Sequence, residues 1–466
     1  MRIVVFGTGD YYRKNVKRFN KESIVALLDN NLEKEGTYLD GVKIYTPQKL
    51  PELDYDYIVI LSLYEKEMYS QLMELGVSND KVILYSELQD HPELNLKELD
   101  AKVLDSEKTI DDIIKSICQN SMLMLIGNLD LNGASIAFVN AALILKKHGY
   151  DVIIASAIEG KLSDLIIKND IQLIIDPNIL YKTFVEIKWL QSFHKIICNT
   201  LLFYTFLSDV PSDKNIMWWL HDPEILYSSL NKKILSDIDG DCLTVYAVGP
   251  VASNAIKKFH PEFDVKNLLY GIPEMNIDEH LASNKIEFAV IANVQEYKGQ
   301  DIILHAMSYL TQKELDKIHI RVIGNQNSFY ASELKKQSEK NKLPIDFISE
   351  IEREEIEKVY SEIDVLLCPS RVDCMPVSVA EAMSNRIPAI VSNSVGTVDY
   401  LVDGENGLVF DCNNPEMLAE KIRWCINNQT SIELLGKKAR EVYKKYFSME
   451  VFEKHLLFAV RNQFEN

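Results

Sequence analysis

Val365-Leu366-Leu367-Cys368-Pro369-Ser370 is a short apolar run that stops at a proline, and the residues from there to Asp399 decide the fold. The run predicts a buried strand leading into a loop that carries Asp373. Eight positions later Glu381-Ala382-Met383 predicts the opening of a helix. Pro388 to Val391 predicts the next strand, and Gly396-Thr397-Val398-Asp399 the start of another helix. Strand, loop, helix and strand in that order are the unit of a parallel α/β sheet. Carboxylates at the carboxyl end of a strand and at a helix start sit where open α/β sheets bind ligands. Two carboxylates there can hold several sugar hydroxyls. Free N–H groups at Gly396 to Val398 can take a diphosphate, because unsatisfied donors and the helix dipole both favour anions.

The same alternation runs outward along almost all of the 466 residues, which at roughly 150 per domain predict about three domains. Strands at 3–6, 24–28, 58–61 and 82–84 predict a small Rossmann-like domain over residues 1–86. Residues 87–112 hold nine acidic and three basic side chains with only a weak apolar stripe, so 87–121 is read as an acidic linker or connecting helix. A second α/β domain is expected over 122–285 and a third over 286–440. Helices over 441–466 are expected to pack back on the rest.

Composition bounds the function. The chain is 47% hydrophobic and 26% charged, enough to bury sizeable cores. Its net charge of −19 argues against nucleic acid as a partner. Seven cysteines, at 118, 198, 242, 368, 374, 412 and 425, form no CxxC pair and indicate neither a zinc site nor a disulfide framework. After Met1-Arg2 the apolar run stops at Phe6, too short for a signal peptide, and no stretch reaches the length of a membrane span. A soluble cytoplasmic protein is expected, with room for peripheral contact at the inner face of the membrane.

Taken together, Asp373…Glu381-Ala382-Met383, Lys298-Gly299, Val322-Ile323-Gly324, Pro369-Ser370, Ile387-Pro388-Ala389-Ile390-Val391-Ser392 and Val402-Asp403-Gly404-Glu405-Asn406-Gly407 resemble the C-terminal half of the retaining glycosyltransferases of family four (group 1). Their order is that family's, and the resemblance covers about residues 286–430. It implies an α/β GT-B fold of two Rossmann-like domains, here preceded by a small third one. It further implies transfer of a sugar from a UDP- or GDP-sugar, with retention, to a glycan, lipid-linked or protein acceptor. Bacterial surface polysaccharide or glycoconjugate assembly is the expected setting.

The resemblance assigns catalytic roles to His221, Lys298, Asp373 and Glu381. Lys298 would neutralise the leaving diphosphate, Glu381 would accept from ribose hydroxyls, Asp373 would face donor-sugar hydroxyls, and His221 would bind the sugar near the reacting carbon. Donor contacts are implied at Gly133, Ala134, Asn293, Lys298, Gly324, Arg371, Met375, Pro376, Val377, Glu381, Gly396 and Thr397. Two positions depart from the pattern: Asn293 stands where the family has Arg, so Lys298 carries the diphosphate charge with less help unless Arg371 or another cation substitutes, and Asp373 replaces the commoner Glu. No Asp-x-Asp pair lies in a plausible metal loop, since Asp237, Asp239 and Asp241 follow a polar helix. No metal or other cofactor is therefore expected to be required. A non-catalytic GT-B scaffold or partner subunit, and a sugar-nucleotide epimerase, are the competing readings. Gly7, Gly9 and Asp29 partly match a dinucleotide fingerprint, so the first domain is expected to offer a ligand site or a docking face for a protein partner.

Overall fold

The computed structural model describes residues 1–62, 65–227, 230–275, 283–326 and 328–465. Three sheets follow one another along the chain. The first contains β1 (Ile3–Phe6), β2 (Ile24–Leu28), β3 (Tyr38–Leu39), β4 (Val42–Tyr45), β5 (Tyr57–Ile60) and β6 (Val82–Leu84), in the order β3-β4-β2-β1-β5-β6. All its pairs are parallel except the β3–β4 hairpin. That hairpin escapes a reading by apolar runs, because Tyr38, Leu39, Val42 and Lys43 lie exposed or half-buried at an edge. Its turn signal is Asp40-Gly41, both at positive φ (54° and 83°), the geometry of a tight hairpin turn.

The second sheet contains β7 (Lys102–Val103), β8 (Ser121–Asn128), β9 (Asp151–Ile158), β10 (Gln172–Ile175), β11 (Lys195–Asn199), β12 (Asn215–Leu220), β13 (Leu243–Ala247) and β14 (Lys266–Asn267). Its order is β14-β13-β12-β11-β8-β9-β10-β7. The acidic segment read as a linker thus contributes β7, which closes the sheet edge by pairing antiparallel with Ile174 and Ile175 of β10. The segment also holds a helix, Ile110–Ser116, capped reciprocally by Thr109 and Asp112.

The third sheet is wholly parallel: β15 (Ile286–Ile291), β16 (Ile318–Ile323), β17 (Ile345–Ile348), β18 (Val365–Cys368), β19 (Ala389–Ser392) and β20 (Leu408–Phe410), in the order β17-β16-β15-β18-β19-β20. Strand order reverses between β8 and β11 in the second sheet and between β15 and β18 in the third. Such switch points open crevices at the carboxyl ends of the strands. Helices cover both sheets with fully buried faces. Val379, Ala382 and Met383 of the helix Val377–Ser384 belong to one continuous core with Leu125, Trp219 and Phe452. The two large sheets and the C-terminal helix are therefore packed as one body of apolar side chains. No helix among the described residues is long and apolar enough to cross a membrane.

Candidate functional site

Lys298 ends a short 3-10 turn, Glu296–Lys298, just past β15. Gly299 follows at φ +70°, and a Cβ there would stand 2.2 Å from the Pro369 carbonyl oxygen. Only glycine lets this loop lie directly on the Pro369-Ser370 loop beyond β18. The consequence is that Lys298 Nζ reaches Asp373 Oδ2 at 2.6 Å, joining the two sides of the third sheet's switch point. The side chains are 20% and 13% exposed. Burial alone lowers the Lys298 ammonium, but the Asp373 charge outweighs it and holds Lys298 above the ordinary lysine range.

The Asp373 loop rests on the segment after β19. Gly396 N–H donates to the Asp373 carbonyl at 2.9 Å, and a Cβ on Gly396 would collide with the Cys374 carbonyl oxygen at 1.9 Å. Thr397, fully buried, points its hydroxyl at the Met375 sulfur, 3.5 Å away. The helix start expected at Gly396 is a 3-10 helix of five residues, Gly396–Tyr400, but the N–H groups of Gly396 and Val398, expected to be free, donate to the carbonyls of Asp373 and Val395. Glu381 also sits differently from the expectation. The helix begins at Val377 behind Pro376, so Glu381 is in its fifth position and not at its opening. There it is 3% exposed, and its Oε2 accepts the Tyr360 hydroxyl at 2.9 Å.

Across the cleft, β8 ends in a loop whose Asn132 caps the helix Gly133–Lys147 by accepting from Ser135 N–H at 2.9 Å. A Cβ on Gly133 would meet Val377 Cγ2 at 2.9 Å, so this loop touches the helix that carries Glu381. The Ala134 carbonyl accepts from Asn199 Nδ2 at 3.3 Å. Asn199, fully buried at the end of β11, was not singled out from the sequence. His221 follows β12 directly. Its Nε2 is sealed from solvent and has no hydrogen-bond partner among the described residues, and burial lowers its pKa to about 3. The imidazole is neutral and can exchange a hydrogen bond with a ligand, but it cannot supply charge. Asp222 beside it accepts backbone N–H groups from Leu201 at 2.6 Å and His221 at 3.4 Å. Burial raises this carboxyl to about 6.

Arg371 does not take up the part of a spare cation. It grips Asp301 with two bonds, 2.8 and 2.6 Å, and donates to the Glu296 carbonyl at 2.7 Å. It braces the backbone that presents Lys298, and Lys298 is left as the cation paired into the Asp373 loop. Asn293 is exposed; its Oδ1 accepts from Asn325 N–H at 3.2 Å. Gly324, at φ +150°, allows the β16 loop to sit against the Ala292 carbonyl, which a Cβ would approach to 2.3 Å. Asp239 and Asp241 form a turn, with Asp239 Oδ1 accepting from Asp241 N–H at 2.9 Å. In the first domain, Asp29 is occupied by its own chain: Lys34 donates at 2.7 Å and Asn31 N–H at 2.8 Å, and the Thr8 hydroxyl bonds the same carboxylate.

Residues 273–442 match the family model described as Glycosyl transferases group 1, and residues 1–83 match one described as C2185-like, N-terminal. Spore coat protein SA of Bacillus subtilis is 25% identical over 209 residues, 43% of this chain and 55% of that protein. Sulfoquinovosyl transferase SQD2 of Arabidopsis thaliana is 25% identical over 205 residues, 43% of this chain and 39% of that one. The chain thus spans only 39–55% of the length of these two curated relatives. Among solved structures, Anabaena HepE in complex with UDP and glucose superposes with a TM-score of 0.63 at 14% identity, covering 73% of this chain and 99% of that one. Sucrose-phosphate synthase from Thermosynechococcus elongatus gives 0.60 at 14% identity, covering 74% and 99%. At such identities the likeness speaks for the fold, which is GT-B. The match to the group 1 model thus falls on residues 273–442, which lie in a GT-B architecture preceded by a separate small sheet.

Proposed function

We propose that the protein is a retaining glycosyltransferase that moves a sugar from a UDP- or GDP-sugar to a glycan, lipid-linked or protein acceptor without a required metal. The observation that carries this reading is the Lys298–Asp373 pair, 2.6 Å apart and drawn from the loops on either side of the third sheet's switch point. A fixed cation at that crevice can neutralise charge developing on a leaving diphosphate, and preorganised charge of this kind contributes most to group transfer. Donor binding would draw the Lys298 ammonium toward phosphate and free Asp373 lone pairs for sugar hydroxyls. Glu381 would accept from the ribose, and neutral His221 would bond the sugar through Nε2. The phosphate, leaving with its charge balanced by Lys298, would assist the acceptor hydroxyl on the same face and so retain configuration.

Likeness to the group 1 domain supports glycosyl transfer as the chemical class. The UDP and glucose held by HepE support a nucleotide-sugar donor. The test is incubation with radiolabelled UDP-glucose and GDP-mannose, with chelator present, followed by separation of nucleotide, free sugar and glycosylated product. Release or transfer of label that is lost in Glu381→Ala supports the reading. Interconversion of the donor sugar without release would make the protein an epimerase, and tight binding without turnover a scaffold.

A further inference from the structure

The helix Arg353–Glu362 is strongly charged, yet its Tyr360 is fully buried. It lies on the apolar face with Ile356 and Val359, and the helix packs beside Val377–Ser384. The Tyr360 hydroxyl reaches Glu381 Oε2 at 2.9 Å and the Ser378 carbonyl at 3.2 Å. A phenol has one proton, and the shorter contact to a carboxylate is the stronger acceptor. With both residues nearly sealed from water, that bond sets the rotation of the carboxylate about its own axis. We propose that Tyr360 is a positioning residue for Glu381, and that the bond between them is what makes the donor site distinguish a ribonucleotide from a deoxyribonucleotide. The inference rests on the assignment of Glu381 to the ribose.

The physical case is one of geometry under burial. A carboxylate that can turn freely offers its lone pairs to ribose hydroxyls only part of the time. Held at one oxygen by Tyr360, it keeps a single orientation, so ordering is complete before the nucleotide arrives. Without the hydroxyl, the buried carboxylate loses a charge-assisted bond and is freer to turn or to take up a proton. Either change removes a ribose acceptor and leaves base and phosphate contacts alone.

The experiment measures calorimetric binding of UDP, 2′-deoxy-UDP, GDP and 2′-deoxy-GDP to the full-length chain, in the wild type, Tyr360→Phe, Glu381→Gln and the double variant. The wild type is expected to prefer the ribose form by about tenfold or more, as for a hydrogen bond to a charged group. Tyr360→Phe should lose most of that preference through weaker binding of the ribose form, with the deoxy form little changed. Tyr360→Phe should add nothing in the Glu381→Gln background, where an uncharged amide also keeps the buried site foldable if the single variant does not. Equal preference in wild type and Tyr360→Phe, or equal weakening of ribose and deoxyribose forms, overturns the inference and leaves Tyr360 a packing residue. A wild type that binds without preference overturns it too, while leaving transfer intact. A wild type that binds none of the four overturns the proposed function itself.

Discussion

Lys298→Ala and Asp373→Asn should move nucleotide diphosphate affinity in opposite directions. In the free protein the ammonium and the carboxylate are 2.6 Å apart and no more than a fifth exposed, so solvent screens the pair little. An incoming diphosphate must compete with Asp373 for Lys298. Removing the competitor should tighten UDP or GDP by a few-fold, whereas removing the cation should weaken it by ~10- to 100-fold, the range of a charge-assisted bond. Stability provides a second reading of the same pair. Lys298→Ala strands a buried carboxylate and should cost ~3 kcal/mol or more, while Lys298→Ala with Asp373→Ala strands nothing and should recover most of the loss. Titration calorimetry at fixed ionic strength gives the affinities. Urea unfolding gives the stabilities, followed by a probe in the third sheet because a chain of several domains need not unfold in one step. If Asp373→Asn weakens diphosphate binding as much as Lys298→Ala does, the carboxylate holds the ligand and does not compete with it. Asp373 and the diphosphate would then not be rivals for Lys298.

Glu381→Ala should lose at least ~2 kcal/mol of transition-state stabilisation, read as kcat/KM for donor turnover, and unchanged turnover in a folded variant would remove Glu381 from the site. Burial moves His221 from 6.5 to about 3 and Asp222 from 3.8 to about 6. The depressed histidine contributes stability present above pH 6.5 and lost as pH falls toward 3, whereas the raised carboxyl contributes stability present below 3.8 and lost as pH rises through 6. Between pH 4 and 6 these slopes, each up to ~1.4 kcal/mol per unit, nearly cancel. Asp222→Asn should therefore make stability rise with pH in that window and His221→Gln make it fall, and parallel profiles for the two variants would refute the assignment. A chain beginning at residue 97 should fold and bind UDP, while one beginning at 105 lacks β7 and should melt lower. Soluble, monodisperse protein from residue 97 that binds no nucleotide would place the first domain inside the site.

Apolar runs were enough to read most of the parallel strands, because strands such as β1, β8 and β18 are buried on both faces and spell a continuous hydrophobic word, whereas the GT-B class came from the resemblance of the motifs between Lys298 and Gly407. Edges were not legible in the same way. The β3–β4 hairpin and β7 are two- to four-residue strands in which only Ile44 is buried, held by pairing that no hydrophobic pattern records. Lys298, Asp373 and Glu381 could be found by motif, but their relations could not. That Lys298 meets Asp373 depends on the close approach of Gly299 to Pro369, and that Arg371 is taken up by Asp301 depends on a loop crossing seventy residues away in sequence. Tyr360 carried only a faint signal: an aromatic on the apolar stripe of a helix otherwise rich in Glu. Its role comes from a partner 21 positions on, fixed by how two helices pack.

The connection between the halves constrains how the cleft can move. The chain leaves the second sheet through Leu268 to Met275 and returns from the third through Tyr443 to Met449. These two crossings are bonded to each other: Ile272 N–H donates to the Phe447 carbonyl at 2.8 Å, Ile272 pairs with Ser448, and the Tyr443 hydroxyl donates to the Ile272 carbonyl at 2.7 Å. A change in the angle between the halves must therefore bend both crossings together. The returning helix Met449–Phe464 then fastens itself to the second sheet, with Glu453 between Lys147 and His148 and Phe452 stacked on Trp219 at 5.8 Å. Trp219 is held by its bond to the Leu268 carbonyl at 3.0 Å and stands 4.6 Å from the His221 ring. His221 is thus mounted beside the pivot, where a rotation displaces atoms least. Lys298, Asp373 and Glu381 ride on the other half. A closing motion would bring the charged groups to a histidine that stays in place, and the end of the cleft beside His221 would be the part least disturbed.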